Sequence, residues 1–452
     1  MSSWKQVRFS EICDITRGGS PRPIQEYMTN DGVPWIKISD ATASNSRFIE
    51  KTKEFIKTSG ISKSREVFPD DLILSNSATP GIPKFMRIYA CIHDGWLLLR
   101  NFNGAEKEFI YWLLLNERDK LIQQGNGSVF TNLKTDILKN HIVNIPDDIE
   151  EQKRIATILN NIQEKIELNT QINQTLEQIA QTIFKSWFID FDPVHAKANA
   201  LASGQTLEQA TQAAMAVISG KNTQELHRLQ TANPKQYQQL WEIAEAFPSG
   251  VDEEGVPRGW EEKPLDEIAI YQNGLALQKF RPESEDEYLP VVKIAQLKQG
   301  YADGEEKASV NIKPECIIDN GDVIFSWSGS LVVDIWCGGK AALNQHLFKV
   351  TSKNYPKWLY YFYTVHHLAE FQRIAADKAV TMGHIKREHL SQALCVIPDN
   401  EFIQKFCFLE DYISQIVNNR LQNVSLRKTR DELLPKLLSG EIYSDGDIGT
   451  IL

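Results

Sequence analysis

The chain has no long apolar run, few cysteines and no excess of positive charge. Its longest apolar stretch, Phe109 to Leu115, is far too short to span a bilayer. A membrane protein is therefore not expected. The six cysteines are scattered and form no Cys-x-x-Cys pair, which excludes a zinc knuckle or a disulfide framework and fits a reducing compartment. The N-terminus opens polar and charged, so a cytoplasmic location is expected. No Gly-x-x-x-x-Gly-Lys-Ser/Thr loop occurs, which excludes a P-loop ATPase. Asp192-Pro193-Val194 lacks the second proline and the aromatic residue of an amino-methyltransferase motif and reads as a helix stop. Glu305-Glu306-Lys307 reads as a solvated charge run rather than a nuclease pair. His366, His367 and His384 have no neighbours at metal-ligand spacing, so no metal site and no catalytic residue is expected.

Net charge is −10, and its distribution is uneven: residues 1–148 carry +1, whereas residues 149–258 carry −5. No segment is basic enough to hold DNA tightly by counterion release alone.

What the chain does have is a seam. From about Glu150 to Trp187, Ile155, Leu159, Ile162, Ile166, Asn169, Asn173, Leu176, Ala180, Ile183 and Trp187 follow one another at steps of four and three, with no Pro or Gly between them. That alternation predicts a helix packed along another helix. At 1.5 Å per residue it would be about 55 Å long, too long for one small core. A partner with the same steps runs through Leu409, Tyr412, Ile416, Asn419, Asn423, Leu426, Arg430, Leu433 and Leu437. A shift of 250 residues places Asn169 on Asn419 and Asn173 on Asn423. Buried asparagines at matched seam positions fix register at a cost in stability. Pro435 should kink or end the second helix.

The two seams belong to a larger repeat. Trp4 to Gly18 matches Trp260 to Gly274; Pro34, Lys37 and Ile38 match Pro290, Lys293 and Ile294. Asp71–Ser75 parallels Asp322–Ser326, Ser77 parallels Ser328, and Ile145-Pro146-Asp147 matches Ile397-Pro398-Asp399. Strands are expected at Val33–Ser39, Asp71–Ser75 and Met86–His93, and helices at Phe109–Gln123 and Lys357–Ala375. The order is then domain 1–148, long helix 149–192, helical insert and linker 193–258, domain 259–398, long helix 399–442 and tail 443–452. Within the insert, Ala196–Ile218 and Lys235–Ala246 look helical, the default reading is a spacer without chemistry, and Ser249–Gly255 reads as a flexible acidic linker.

This order of parts resembles the specificity subunit of type I restriction–modification enzymes. The resemblance covers the whole chain. It is most specific in Ile145-Pro146-Asp147 leading into Glu151-Gln152-Lys153-Arg154-Ile155, in Trp187–Pro193, and in the tail Leu434-Pro435-Lys436-Leu437-Leu438-Ser439-Gly440-Glu441-Ile442. Phe402-Ile403-Gln404-Lys405 departs from it, lacking the acidic lead of the first helix. The fold class it implies is α+β. Two similar α/β target-recognition domains are joined by two long antiparallel helices in a coiled coil, as a pseudo-twofold internal repeat with the domains at opposite ends. Each domain would read one half of a split, asymmetric sequence in double-stranded DNA, and the helices would act as a ruler over the unread bases between. The resemblance also implies two methyltransferase subunits and motor-nuclease restriction subunits as partners. S-adenosylmethionine, ATP and Mg would sit on those partners and no cofactor on this chain. A related type II-like methylase/nuclease system, or a duplicated adaptor without DNA specificity, are the alternatives.

The candidate DNA contacts follow the family's loops. Arg17-Gly18-Gly19-Ser20-Pro21 resembles a Gly-Gly-Thr-Pro loop of these domains: Gly19 permits close backbone approach, and Arg17 and Ser20 can meet phosphate. Lys37 and Lys293 share one repeat position, where phosphate contact and a solvated lysine both fit. In the stretch 127–134, Ser128, Thr131, Asn132 and Lys134 resemble a DNA-facing segment, with Thr381, His384 and Lys386 as counterparts. Amides and hydroxyls there could read base edges. Asn76-Ser77 and Trp327-Ser328 complete the set. The two sets differ in residue type, so the half-sites should differ in sequence.

Overall fold

The computed structural model describes residues 3–42, 46–125, 132–284, 287–377 and 383–442. The chain divides into two compact units, residues 1–168 with 425–452, and residues 169–424. Each holds an α/β body and a stretch of both long helices. No helix among the described residues is long and apolar enough to cross a membrane.

In the first unit, Trp4–Arg8 and Ile142–Pro146 form an antiparallel ribbon that closes the body. One five-stranded sheet has the order Asp14–Arg17, Trp96–Arg100, Leu72–Ser75, Pro83–Met86, Phe48–Ile49. A second centres on Val33–Ile36, paired in parallel with Ala90–Ile92. The helix Lys107–Asn116 buries Phe109, Ile110, Trp112 and Leu113 in one core with Ile155, Leu159, Ile162 and Ile166 of the first long helix and Leu433 and Leu437 of the second. Each such side chain contributes about 1.5–3 kcal/mol on burial.

The second unit repeats this plan. Glu261–Pro264 pairs with Leu394–Ile397, and Leu289–Val292 runs parallel to Ala341–Leu343. A four-stranded sheet has the order Ile270–Asn273, Leu347–Thr351, Val323–Ser326, Val333–Ile335. The helix Lys357–Asp377 packs on it through Phe371 against Phe325, while Phe362 meets Phe184 of the first long helix, in a core shared with Ala180 and Leu409.

The first long helix, Ile149–Phe184, starts where the Asp148 carboxylate accepts from the Glu150 amide, with Glu150 and Glu151 favouring its positive end. The second runs Phe408–Ser439. Within the second unit, Asn173 donates to the Ile416 carbonyl and accepts from Asn419 at 2.8 Å, while Asn169 donates to Asn423 at 2.9 Å. Residue numbers rise along one helix as they fall along the other, so the pair is antiparallel. In the first unit Arg430 donates to Gln163 at 2.6 Å. All four seam asparagines are buried.

Several local expectations are corrected. The second helix does not end at Pro435. Both Pro435 and Asp431, whose carbonyl loses its donor, are exposed to water, and the helix ends at Gly440, whose φ of 74° favours glycine. The stretch Met86–His93 is two strands separated by a turn, and Ser39 lies in the short helix Ile38–Thr42. The helix predicted over Phe109–Gln123 breaks at Glu117, whose carboxylate is held by His141 at 3.0 Å and Lys120 at 2.8 Å. Asp192-Pro193 stops nothing alone: a π-turn at Lys185–Ile189 closes the first rod, and Asp192 then opens the helix Asp192–Ala202. The stretch Ser249–Gly255 is no loose linker. Asp252 accepts from the Glu254 and Val256 amides, Arg258 N–H bonds back to Gly250, and Val256 is buried. The insert is also anchored: Phe247 lies among Trp187, Phe402 and Phe406, and Lys197 donates to the Phe247 carbonyl at 2.6 Å beyond the last insert helix.

An arginine ties a long helix to the body in each unit, buried in the first and half-buried in the second. Arg47, 3% exposed, meets Glu108 at 3.1 Å and, on the first long helix, Glu164 at 3.0 Å and Asn160. Burial pushes the Glu108 carboxyl up against the pull of Arg47. Arg420 of the second long helix meets Asp334 at 2.7 Å and Glu177 at 3.7 Å. Arg47→Ala should cost about 2–3 kcal/mol by urea unfolding, because it strands half-buried acceptors. A loss near zero would show that the tie carries no stability.

Candidate nucleic-acid interface

In each body the candidate loops gather on one turn between two strands, residues 92–96 in the first and 343–347 in the second. The backbone bonds correspond one for one. Gly18 N–H donates to the Trp96 carbonyl at 2.9 Å, and Gly274 N–H to Leu347 at 3.0 Å. Gly19 donates to Ile92 at 3.2 Å, and Leu275 to Leu343 at 2.9 Å. Asn76 donates to Gly95 at 2.8 Å, and Trp327 to His346 at 3.3 Å. Leu133 donates to the Asn76 carbonyl at 2.8 Å, and Ile385 to Trp327 at 3.0 Å. Next door, Ser75 donates to the Thr79 carbonyl at 2.6 Å and accepts from Ile82; Ser326 donates to Ser330 at 2.7 Å and accepts from Val332. Buried loop amides need partners, and these frames supply them twice in the same pattern.

The side chains on the two frames differ. In the first, Arg17, Asn76, Ser77, Asn132 and Lys134 line one cleft of about 530 Å³ together with His93, Asp94 and Gly95. Ser20, Arg22, Trp35, Lys37 and His93 line an adjoining hollow of about 560 Å³. The Ser20 hydroxyl donates to the Asp94 carboxylate at 2.6 Å and, with Arg17 adding, holds that carboxyl below its usual range. Burial lowers the His93 pKa, so the ring stays neutral near pH 7; its Nδ1 accepts from Gly95 N–H, which places the proton on Nε2. In the second frame, Trp327 packs edge-on to His384, its indole N–H donates to the Gln345 carbonyl at 3.2 Å, and Ser328 bonds His346 at 2.9 Å.

The predicted residues therefore separate by placement. Arg17, Ser20, Lys37, Ser77, Asn132 and Lys134 edge the first cleft and its hollow, with Gly19 against the Lys63 carbonyl. Asn76 and Ser328 are buried and committed to the frames themselves. Lys37 pairs with Glu54 at 3.2 Å and Lys293 with Glu306, one repeated ion pair; Lys386 pairs with Glu388 at 3.3 Å. Ser128, Thr131 and Thr381 lie outside the described residues. Sequence reasoning missed His93, Asp94, Gln345 and His346. The repeat held the signal: Ile92-His93-Asp94-Gly95-Trp96 aligns with Leu343-Asn344-Gln345-His346-Leu347, apolar at both ends and polar between.

The sequence matches the profile of the type I restriction modification DNA specificity domain over residues 1–178 and again over 257–425. The chain is 30% identical to the type I restriction enzyme HindI specificity subunit of Haemophilus influenzae, over 98% of this chain and 100% of that one. It is 25% identical to the MjaIX specificity subunit of Methanocaldococcus jannaschii, over 97% and 93%. Among solved structures, the S subunit of a type I restriction–modification system from M. genitalium shares the fold, with a TM-score of 0.51 at 11% identity over 96% of both chains.

Gly18 and Gly274 serve the frame by lacking a side chain. A Cβ on Gly18 would collide with the His93 carbonyl oxygen, and one on Gly274 with that of Leu343. Gly18→Ala and Gly274→Ala should each lose about 1–3 kcal/mol in urea unfolding. Unchanged midpoints would refute the close approach.

Proposed function

The chain belongs to the type I restriction–modification DNA specificity family, and from that premise we propose that it is a non-catalytic recognition subunit reading a bipartite, asymmetric target in double-stranded DNA. One observation carries this reading: a single backbone frame occurs twice and bears different side chains. The frame holds loops where they can reach a groove, and the side chains on it choose bases. In the first reader Asn132 and Ser77 present amide and hydroxyl groups suited to base edges, while Arg17 and Lys134 suit phosphate. In the second, Trp327 and His384 offer another pattern, so the second half-site differs.

Two methyltransferase subunits and motor-nuclease subunits complete the assembly in this reading and bring S-adenosylmethionine, ATP and Mg with them. The net charge of −10 favours it, since phosphate neutralisation must come largely from other subunits. The setting is cytoplasmic, where such an assembly meets DNA.

Replacing residues 1–148 with the corresponding domain of another family member, in the reconstituted methylase, should change one half of the methylated sequence and leave the other as it was. A change in both halves, or in neither, would contradict reading by separate domains.

A further inference from the structure

A carboxylate lining a DNA-facing cleft is out of place on electrostatic grounds, because it repels phosphate and neutralises nearby arginines. Asp94 is such a group, and its surroundings give it another use. Its carboxylate accepts from Ser20 at 2.6 Å and lies 3.7 Å from the Arg17 guanidinium and 3.8 Å from that of Arg22. Its backbone carbonyl accepts from Arg17 Nε at 2.8 Å and from the Asn76 amide at 3.2 Å. Those donors come from two separate loops, 17–22 and the one after Ser75, and Asn76 in turn holds Leu133 and the start of the 132–134 segment. His93 lies 3.8 Å from the carboxylate and is kept neutral by burial. Three loops therefore take their places from one residue.

We propose that Asp94 is the positioning residue that sets base choice in the first reader, holding Arg17, Ser20, Arg22 and the Asn76 loop in one arrangement at the expense of phosphate attraction. This rests on the reading of the chain as a DNA-recognition subunit. In the second reader an uncharged residue, Gln345, stands at the matching place, and its backbone carbonyl holds the Trp327 indole. The two readers should thus respond differently to the loss of one carboxylate.

The experiment uses the assembled methyltransferase with wild-type or D94N subunit, and duplexes randomised in one half-site at a time. Methylation rates give discrimination, and binding to unrelated duplex at several salt concentrations gives the electrostatic share. In D94N, discrimination should fall about tenfold in one half-site and hold in the other. Binding to unrelated DNA should tighten, with a salt slope steeper by about one, since one negative charge leaves the cleft. A subunit that is merely damaged would bind more weakly, not more tightly. S20A, which removes one tether and no charge, should reduce discrimination in the same half-site by a smaller factor with an unchanged salt slope. Equal losses in both half-sites, or discrimination and salt slope unchanged in D94N, would overturn the proposal. A wild-type complex without split-site preference would instead sink the recognition reading, and this inference with it.

Discussion

Two pairs of buried asparagines, Asn169 with Asn423 and Asn173 with Asn419, decide how the long helices meet. A primary amide in an apolar seam is costly unless its donors and acceptor are satisfied, and here each finds a partner on the facing helix. Sliding either helix by one turn would separate every amide from its partner and leave several polar groups dry. The aliphatic seam residues on either side tolerate such a slip far better, since apolar contact is non-directional. Hydrophobic burial thus supplies the attraction, and the amides supply the register. Arg420 of the second unit, meeting Glu177 of the facing helix, needs that register to reach its partner.

Around the helices the chain has copied a backbone and varied what it carries. The frames at residues 92–96 and 343–347 share bond for bond the contacts that satisfy their loop amides. Those contacts depend on main-chain atoms, on two glycines where nothing larger fits, and on Ser75 and Ser326, which each bridge the same loop. Side chains that point away from these bonds, such as Ser77, Asn132 and Lys134, can change without removing them. A recognition surface that must diverge while its support stays constant would be built in this way. The repeated ion pairs Lys37–Glu54 and Lys293–Glu306 belong to the constant part, because Glu54 and Glu306 also accept backbone bonds from Trp35 and Val291.

Legibility in the sequence followed the range of the forces involved. Much of the seam was readable, because a period of 3.5 is a local property: Ile155, Leu159, Ile166 and Leu437 are all at most 3% exposed, whereas Leu176, Ile183, Tyr412 and Leu426 are half-buried and Phe184, outside the predicted seam, is buried. The repeat was readable because matched glycines and serines serve matched backbone bonds. What escaped depended on distant partners. The break at Glu117 comes from His141, the order of Ser249–Gly255 from Arg258 and a buried Val256, and the passage through Pro435 from the exposure of that face. Asp94 was invisible for the same reason: nothing near it in the chain announces that loops as far off as Arg17 and Asn76 converge on it.

The account stands or falls on the amide register, and a double-mutant cycle on Asn173 and Asn419 measures it. Asn173→Ala, Asn419→Ala and the pair are compared by urea unfolding of the full chain. Each single change should cost about 1–3 kcal/mol, and the pair markedly less than the sum, because removing both partners leaves no stranded amide between them. Strictly additive losses, or single losses near zero, would mean that the asparagines do not hold the helices in place.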